Sequence, residues 1–176
     1  MTKAKLFVDM DGTLAEWKAA ASYEDLFVQG YFSTLLPHNS VKKAVELLFD
    51  KGVEVYVLSA YFTESKYALQ EKNQWVEKYL PYIDAGHRLY VPHNISKPSY
   101  VNALVGNIDA GYILLDDYSR NLHEWKAAGG TGIKLLNGVN GTKGTWLGAA
   151  VSRFCCADEL ADTILEVMQG YTTKGE

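Results

Sequence analysis

The stretch Lys5-Leu6-Phe7-Val8-Asp9-Met10-Asp11-Gly12-Thr13 constrains this chain more than any other. Leu6, Phe7 and Val8 form an apolar run that stops abruptly at two carboxylates one residue apart. A run apolar on both faces and bounded by turn chemistry marks a short strand buried on both sides. In extended backbone, residues i and i+2 point to the same side, so Asp9 and Asp11 are expected to face one pocket at the strand's carboxyl end. Ligands of open α/β sheets bind at that edge. Two like charges held together are costly unless a cation sits between them or one carries a proton. Both solutions suit phosphoryl chemistry, in which one carboxylate is a nucleophile and the other a proton donor. The alternative for this stretch alone is a surface turn with two solvated carboxylates.

Apolar strands and amphipathic helices alternate through the rest of the chain. Strands are expected at residues 53–58, 88–91, 112–115 and 132–136. Helices are expected from Asn39 or Ser40 to 51 with Gly52 as the C-terminal stop, then over 63–80, 97–105, 119–128 and 158–169. Residues 14–21 have helical propensity but weak periodicity. Residues 16–37, rich in aromatics, are expected to form a small insertion over the end of the first strand. A polar tail follows Gly170 and is expected to fray. Alternation of this kind predicts an α/β fold, a doubly wound, Rossmann-like parallel sheet with helices on both faces. The length, 176 residues, fits one domain with that insertion.

The net charge of −4 argues against bulk binding of nucleic acid or of an anionic membrane, while allowing a local basic pocket. No apolar run is long enough to span a bilayer, and the first residues lead directly into the first strand. Neither a membrane segment nor a signal peptide is expected, and the expected location is the cytoplasm. Cys155 and Cys156 are adjacent, which gives no metal or disulfide framework.

Three predicted strand ends carry polar groups: Asp9 with Asp11, then Ser59, then Asp116 with Asp117. A parallel sheet brings all three to one edge, and Lys97, at the start of a helix, can reach it. Singly, each has an ordinary explanation as a turn residue, a cap or a solvated charge. Jointly they make a site for a phosphate. Four carboxylates repel a phosphate dianion, so the site needs a divalent cation and a fixed positive charge. Oxygen ligands in this number suit Mg²⁺. Lys97 supplies the fixed charge and Ser59 a hydroxyl donor.

In this order the motifs resemble the four motifs of the haloacid-dehalogenase-like (HAD) superfamily of phosphohydrolases, and the match spans most of the chain. Asp9 through Trp17 is similar to the first motif of the cytosolic-type 5′(3′)-deoxyribonucleotidases. The resemblance implies that Asp9 is the nucleophile and Asp11 the general acid and base. It implies that Mg²⁺ is held by the Asp9 side chain, the Asp11 carbonyl and Asp117, with Asp116 acting through water. Ser59 and Lys97 then clamp the phosphoryl oxygens, and Trp17 packs on the nucleoside. The expected substrate is a small phosphorylated molecule, a nucleoside or deoxynucleoside monophosphate. The alternatives are a sugar-phosphate or polynucleotide-end phosphatase and, in another class, a phosphate-binding protein without turnover.

The sequence departs from the nucleotidases at three points. Residues 16–37 are short for a full helical cap, which implies an open site or closure by a partner subunit, so a homo-oligomer stays open. Tyr118 stands where an arginine is expected. Ser59-Ala60 lacks the second hydroxyl and the proline. The Asn/Gly-rich run 137–146 is expected to form tight turns, the other reading being a substrate loop that brings Lys143 and Trp146 to the site. His38, His87, His93 and His123 show no ligand spacing.

Overall fold

The computed structural model describes residues 4–142 and 144–170. The polar tail after Gly170 and Lys143 lie outside the described residues.

The apolar run becomes β1 (Lys5–Val8), fully buried from Leu6 onward. It is flanked by β2 (Glu54–Tyr61) and β4 (Tyr112–Asp116), both parallel to it, with Val8 level with Val57 and Leu115. Outside these lie β3 (Arg88–Pro92), β5 (Thr131–Leu136) and β6 (Ala149–Ser152). The described residues form a six-stranded parallel sheet in the order β3-β2-β1-β4-β5-β6.

The two-residue period of the strands sorts their side chains into two cores. Leu6, Val8, Val55, Val57, Ile113 and Leu115 face α1 (Asn39–Asp50), α2 (Ala68–Tyr79) and α5 (Ala157–Gln169). Phe7, Tyr56, Leu58, Tyr112 and Leu114 face α3 (Lys97–Leu104) and α4 (Ser119–Ala127), whose Val101, Leu122 and Trp125 complete that layer. Phe7 is its centre, stacked on Tyr56 at 4.9 Å and Tyr112 at 5.5 Å between ring centroids. This is the doubly wound α/β arrangement expected from the alternation. The chain reverses direction across the sheet between β1 and β4, and the carboxyl ends of those strands open the crevice where such folds bind ligands.

Some elements differ from expectation. The helix expected from residue 63 starts at Ala68, because Ser65 Oγ accepts from the Ala68 amide at 3.1 Å and holds the preceding residues in a turn. The strand β6 is unanticipated. The helical propensity of residues 14–21 is not realised. Gly52 closes α1 as expected, with a φ of +83°.

Residues 16–37 leave and rejoin the body at one point, where the Glu16 amide donates to Leu36 O and the His38 amide to Leu14 O, both at 2.8 Å. Between those bonds lie a short 3-10 turn (Glu24–Phe27) and a series of turns that rest on α2. The Trp75 indole donates to Leu35 O at 2.8 Å, and the Glu71 carboxylate accepts from the amides of Gly30, Phe32 and Ser33.

Candidate active site

Asp9 is the first residue past β1, and its amide makes a last rung to Leu115 O at 2.9 Å. The chain then turns tightly. Leu14 N reaches Asp9 O, Ala15 N reaches Met10 O, and Gly12 N reaches Ala15 O. Gly12 has a φ of +81°, and a Cβ there would run into the Asp117 carboxyl group. Asp9 and Asp11 therefore do line one cavity, but through a turn rather than through an extended strand, and each meets a different lysine.

Asp9 meets Lys97. Lys97 Nζ donates to Asp9 Oδ1 at 2.6 Å and to Asp116 Oδ2 at 2.7 Å, with all three residues buried. Local sequence sets this up. Ser96 caps α3, its Oγ accepting from the Ser99 amide at 3.3 Å, and Pro98 suits the first turn, so Lys97 enters at the helix start. Burial pushes the Asp9 carboxyl well above the usual carboxylate range. Lys97 opposes the rise, while Asp116, Asp11 and Asp117 add to it. Burial acts to lower the Lys97 ammonium, but Asp116 and Asp9 outweigh it and the group is held above its ordinary value.

Asp11 meets Lys72, a residue with no place in the sequence-based site. Lys72, fully buried in α2, donates to Asp11 Oδ2 and, at 2.9 Å, to Ser59 Oγ. Ser59 Oγ in turn donates to Asp11 Oδ2 at 3.4 Å. The ammonium also lies 4.4 Å from the centroid of the Phe32 ring. The other Asp11 oxygen, Oδ1, is buried and has no hydrogen-bond partner.

At the end of β4, Asp116 Oδ1 accepts from the Tyr118 amide at 2.8 Å and Oδ2 from Asn121 Nδ2 at 2.9 Å. Asp117 is held on every side. Its amide donates to Thr13 Oγ1, its carbonyl accepts from Lys134 Nζ and Asn140 Nδ2, and its Oδ2 accepts from Asn137 Nδ2. Burial first, and the Asp116 charge next, push the Asp117 carboxyl up to about 7, against Lys97 and Lys134.

The structure thus brings Asp9, Asp11, Ser59, Lys97, Asp116 and Asp117 to one edge of the sheet. Carboxylate oxygens of Asp9, Asp116 and Asp117 come within 4.8 Å of one another. An all-oxygen donor set of crowded, buried carboxyls, with the Asp9 and Asp117 groups pushed up by burial and by their neighbours' charge, fits a hard divalent cation such as Mg²⁺. Ser59 is fully buried, while Asp9, Asp11, Lys97, Asp116 and Asp117 line a cavity of about 580 Å³ whose walls include Trp17, Tyr31, Phe32, Tyr61 and Phe62. Trp17 is half exposed there. Of the Asn/Gly-rich run, Asn137 and Asn140 reach the site. Trp146 does not: it is buried on the far side of β5 against Gly132, its indole donating to Ala149 O at 2.9 Å. Lys134 and Asn121 are, like Lys72, residues that sequence patterns did not single out, and Asn137 and Asn140 stand out only as part of the Asn/Gly-rich run. Lys134 had a signal, as a lysine inside an apolar strand.

A doubly wound sheet with paired acidic residues after β1 and β4 and a buried lysine between them defines a HAD-type phosphohydrolase. A family model described as 5′ nucleotidase, deoxy (Pyrimidine), cytosolic type C protein matches residues 15–142. The chain belongs to that family. The match begins after the Asp9–Thr13 turn and takes in Ser59, Lys72, Lys97, Asp116 and Asp117.

Similar solved structures agree on the fold. D,D-heptose 1,7-bisphosphate phosphatase from B. bronchiseptica, complexed with magnesium and phosphate, has a TM-score of 0.65 at 15% identity, over 92% of this chain and 98% of that one. A HAD family hydrolase from Deinococcus radiodurans R1, with bound phosphate and sodium, has a TM-score of 0.63 at 13% identity, over 94% and 96%. A HAD hydrolase, family IA, variant 3, from Entamoeba histolytica has a TM-score of 0.60 at 10% identity, over 92% and 99%. A comparison with curated proteins finds no match. No helix among the described residues is long and apolar enough to cross a membrane.

Proposed function

We propose that the protein is a Mg²⁺-dependent phosphomonoesterase that works through an aspartyl-phosphate on Asp9 and acts on a nucleoside or deoxynucleoside monophosphate. The observation that carries the chemistry is the unequal pairing of the first two carboxylates. Asp9 is tied to Lys97 beside Asp116, as suits a nucleophile next to a cation, while Asp11 keeps one buried oxygen without a partner, as suits a group that passes a proton.

In the first step an Asp9 oxygen attacks phosphorus, the bond from phosphorus to the leaving oxygen breaks, and Asp11 gives that oxygen its proton. In the second, Asp11 takes a proton from water. The water oxygen bonds to phosphorus and the Asp9–phosphorus bond breaks, releasing inorganic phosphate. The second carboxylate argues for an ester substrate, because an alkoxide leaving group needs a proton. Lys97 and Ser59 hold phosphoryl oxygens, and Lys72 adds a second fixed cation beside Ser59. Asp9, Asp117 and the Asp11 carbonyl would hold Mg²⁺, with Asp116 acting through water. The cation offsets the charge of both carboxylates and phosphate.

Family membership supports the nucleotide, and so does the wall. Trp17, Tyr31, Phe32, Tyr61 and Phe62 give an aromatic lining suited to a flat base. Residues 16–37 act as a minimal cap within a single domain. The test is phosphate release from ribo- and deoxyribonucleoside monophosphates, sugar phosphates, 5′-phosphorylated oligonucleotides and an aryl phosphate, with Mg²⁺ and with chelator. The expected result is selective, Mg²⁺-dependent release from mononucleotides that Asp9→Asn abolishes. Release from the aryl ester alone would remove the nucleotide assignment. Unchanged turnover in Asp9→Asn would remove the nucleophile.

A further inference from the structure

The Asn137–Asn140 turn has an arrangement that the proposed chemistry does not use directly. Asn137 is 2% exposed, and both ends of its side-chain amide are engaged twice. Nδ2 donates to Gly12 O at 2.8 Å and to Asp117 Oδ2 at 2.9 Å. Oδ1 accepts from the amides of Val139 and Asn140, both at 3.1 Å. The Asn137 amide nitrogen donates to Asn140 Oδ1 at 2.9 Å, and Asn140 Nδ2 closes the circle on Asp117 O at 2.8 Å. The orientation of the Asn137 amide is determined by chemistry. Gly12 O can only accept and the Val139 and Asn140 amides can only donate, so the NH₂ faces the carboxylate.

From this geometry we infer that Asn137 is a positioning residue for the divalent cation, holding Asp117 and the Gly12 turn in ligating position. The inference rests on the proposed function. Asp117 lies among carboxylates that repel it, and rotation of its side chain is the simplest way to relieve that repulsion. Asn137 blocks the rotation from one side, and the Gly12 backbone, packed where a Cβ has no room, blocks it from another. One amide thereby ties together the two chain segments that supply cation ligands, the turn after β1 and the end of β4. The Asn/Gly run takes its sequence from this task. Asn137 supplies two donors and two acceptor positions, Gly138 supplies a φ of +90°, and Asn140 returns the bond.

The test is the Mg²⁺ affinity of the full chain by titration calorimetry, with turnover left aside. Asn137→Ser keeps a side-chain oxygen that can accept from the Val139 and Asn140 amides, as serine does in such turns, but has no NH₂ to reach Asp117. It is expected to melt near the wild type and to bind Mg²⁺ roughly 10- to 100-fold more weakly, the usual effect of losing an outer partner of a metal ligand. In an Asp117→Ala background the same substitution is expected to weaken binding by a clearly smaller factor, since only the tie to Gly12 is then lost, whereas a general loosening of the fold would weaken binding by the same factor in both backgrounds. A second readout needs no variant. The side-chain amide resonances of Asn137 in the wild type are expected to shift on Mg²⁺ addition while those of Asn102, whose Oδ1 accepts from the Ile108 amide away from the cation ligands, stay in place. Wild-type affinity in folded Asn137→Ser, or an Asn137 amide indifferent to Mg²⁺, would overturn the inference. A wild type that binds no Mg²⁺ would overturn it together with the proposed function. A wild type that binds Mg²⁺ and hydrolyses nothing would overturn the proposed function alone.

Discussion

Glu71 and Lys72 occupy positions where α2 ought to be apolar. Ala68, Trp75 and Val76 are buried along one stripe of that helix, and residues 71 and 72 complete its i+3 and i+4 positions. Charges survive burial only with partners. Glu71 finds three backbone amides and Lys72 finds Asp11 and Ser59. The sequence carries a signal of this anomaly, two adjacent charges in line with the helix's apolar stripe, but the pattern alone did not mark them as site residues. The partners were not legible, because Asp11 lies 61 positions away from Lys72 and nothing local to either residue points to the other. Asp9, Asp116 and Lys97 were legible for the opposite reason. Each sits at a strand end or helix start, so topology alone brings them together.

His38 shows the same dependence on distant context. It carries no ligand spacing, yet it is buried with its Nδ1 donating to Thr13 O at 2.9 Å. Burial lowers its pKa from the ordinary 6.5, the Thr13 bond opposes that, and Arg153 adds to it. A folded-state pKa below the unfolded one means that the unfolded chain takes up the proton first as pH falls. The stability associated with His38 is therefore complete above about 6.5 and declines below it. Melting temperatures measured from pH 7.5 downward are expected to fall less steeply for His38→Gln than for the wild type. Parallel curves would mean that His38 does not contribute to acid sensitivity.

Among the elements, the central strands and the helices were legible apart from their boundaries, the start of α2 most of all, while β6 and the internal course of residues 16–37 were not. The strand β6 is Ala149-Ala150-Val151-Ser152, too short and too poor in β-branched residues to stand out. It forms because the open edge of β5 is there to pair with. Residues 16–37 gave no periodic signal because little of their structure is regular. Their conformation comes from outside, from the closure at Glu16 and His38 and from Glu71. Glu71→Ala removes the acceptor of three amides, at about 1–3 kcal/mol for each donor that stays buried and unpaired. Hydrogen exchange is expected to quicken at Gly30, Phe32 and Ser33. Since Tyr31 and Phe32 line the cavity and have no role in the proposed bond-making steps, KM is expected to rise with little change in kcat. An equal fall in kcat and kcat/KM would mean that the segment acts in the transition state.

At the scale of the whole molecule, the fold gathers four aspartates, Asp9, Asp11, Asp116 and Asp117, where the sheet reverses direction. It keeps them there by burial and by a web of donors at the cost of mutual repulsion. Asp117→Asn keeps the shape and removes one of the crowded charges. That variant is expected to melt above the wild type in chelator. It is also expected to lose the stabilisation that Mg²⁺ gives the wild type, which for a site-binding ligand at a hundred times its Kd is about 2.7 kcal/mol. A variant that melts below the wild type in chelator would mean that the Asn137 bond to the Asp117 side chain and the attraction of the Lys97 and Lys134 charges outweigh the repulsion.

The two lysines that face the cavity floor are already committed, Lys97 to Asp9 and Asp116 and Lys72 to Asp11. Four carboxylates thus stand against two ammonium groups before anything binds, and an incoming phosphate dianion meets an excess of its own sign. Such a pocket imposes an order of events. On the proposed function, a divalent cation held by Asp9, Asp117 and the Asp11 carbonyl would offset that excess, so phosphate would bind the loaded site and inorganic phosphate would leave most readily from a site without its cation.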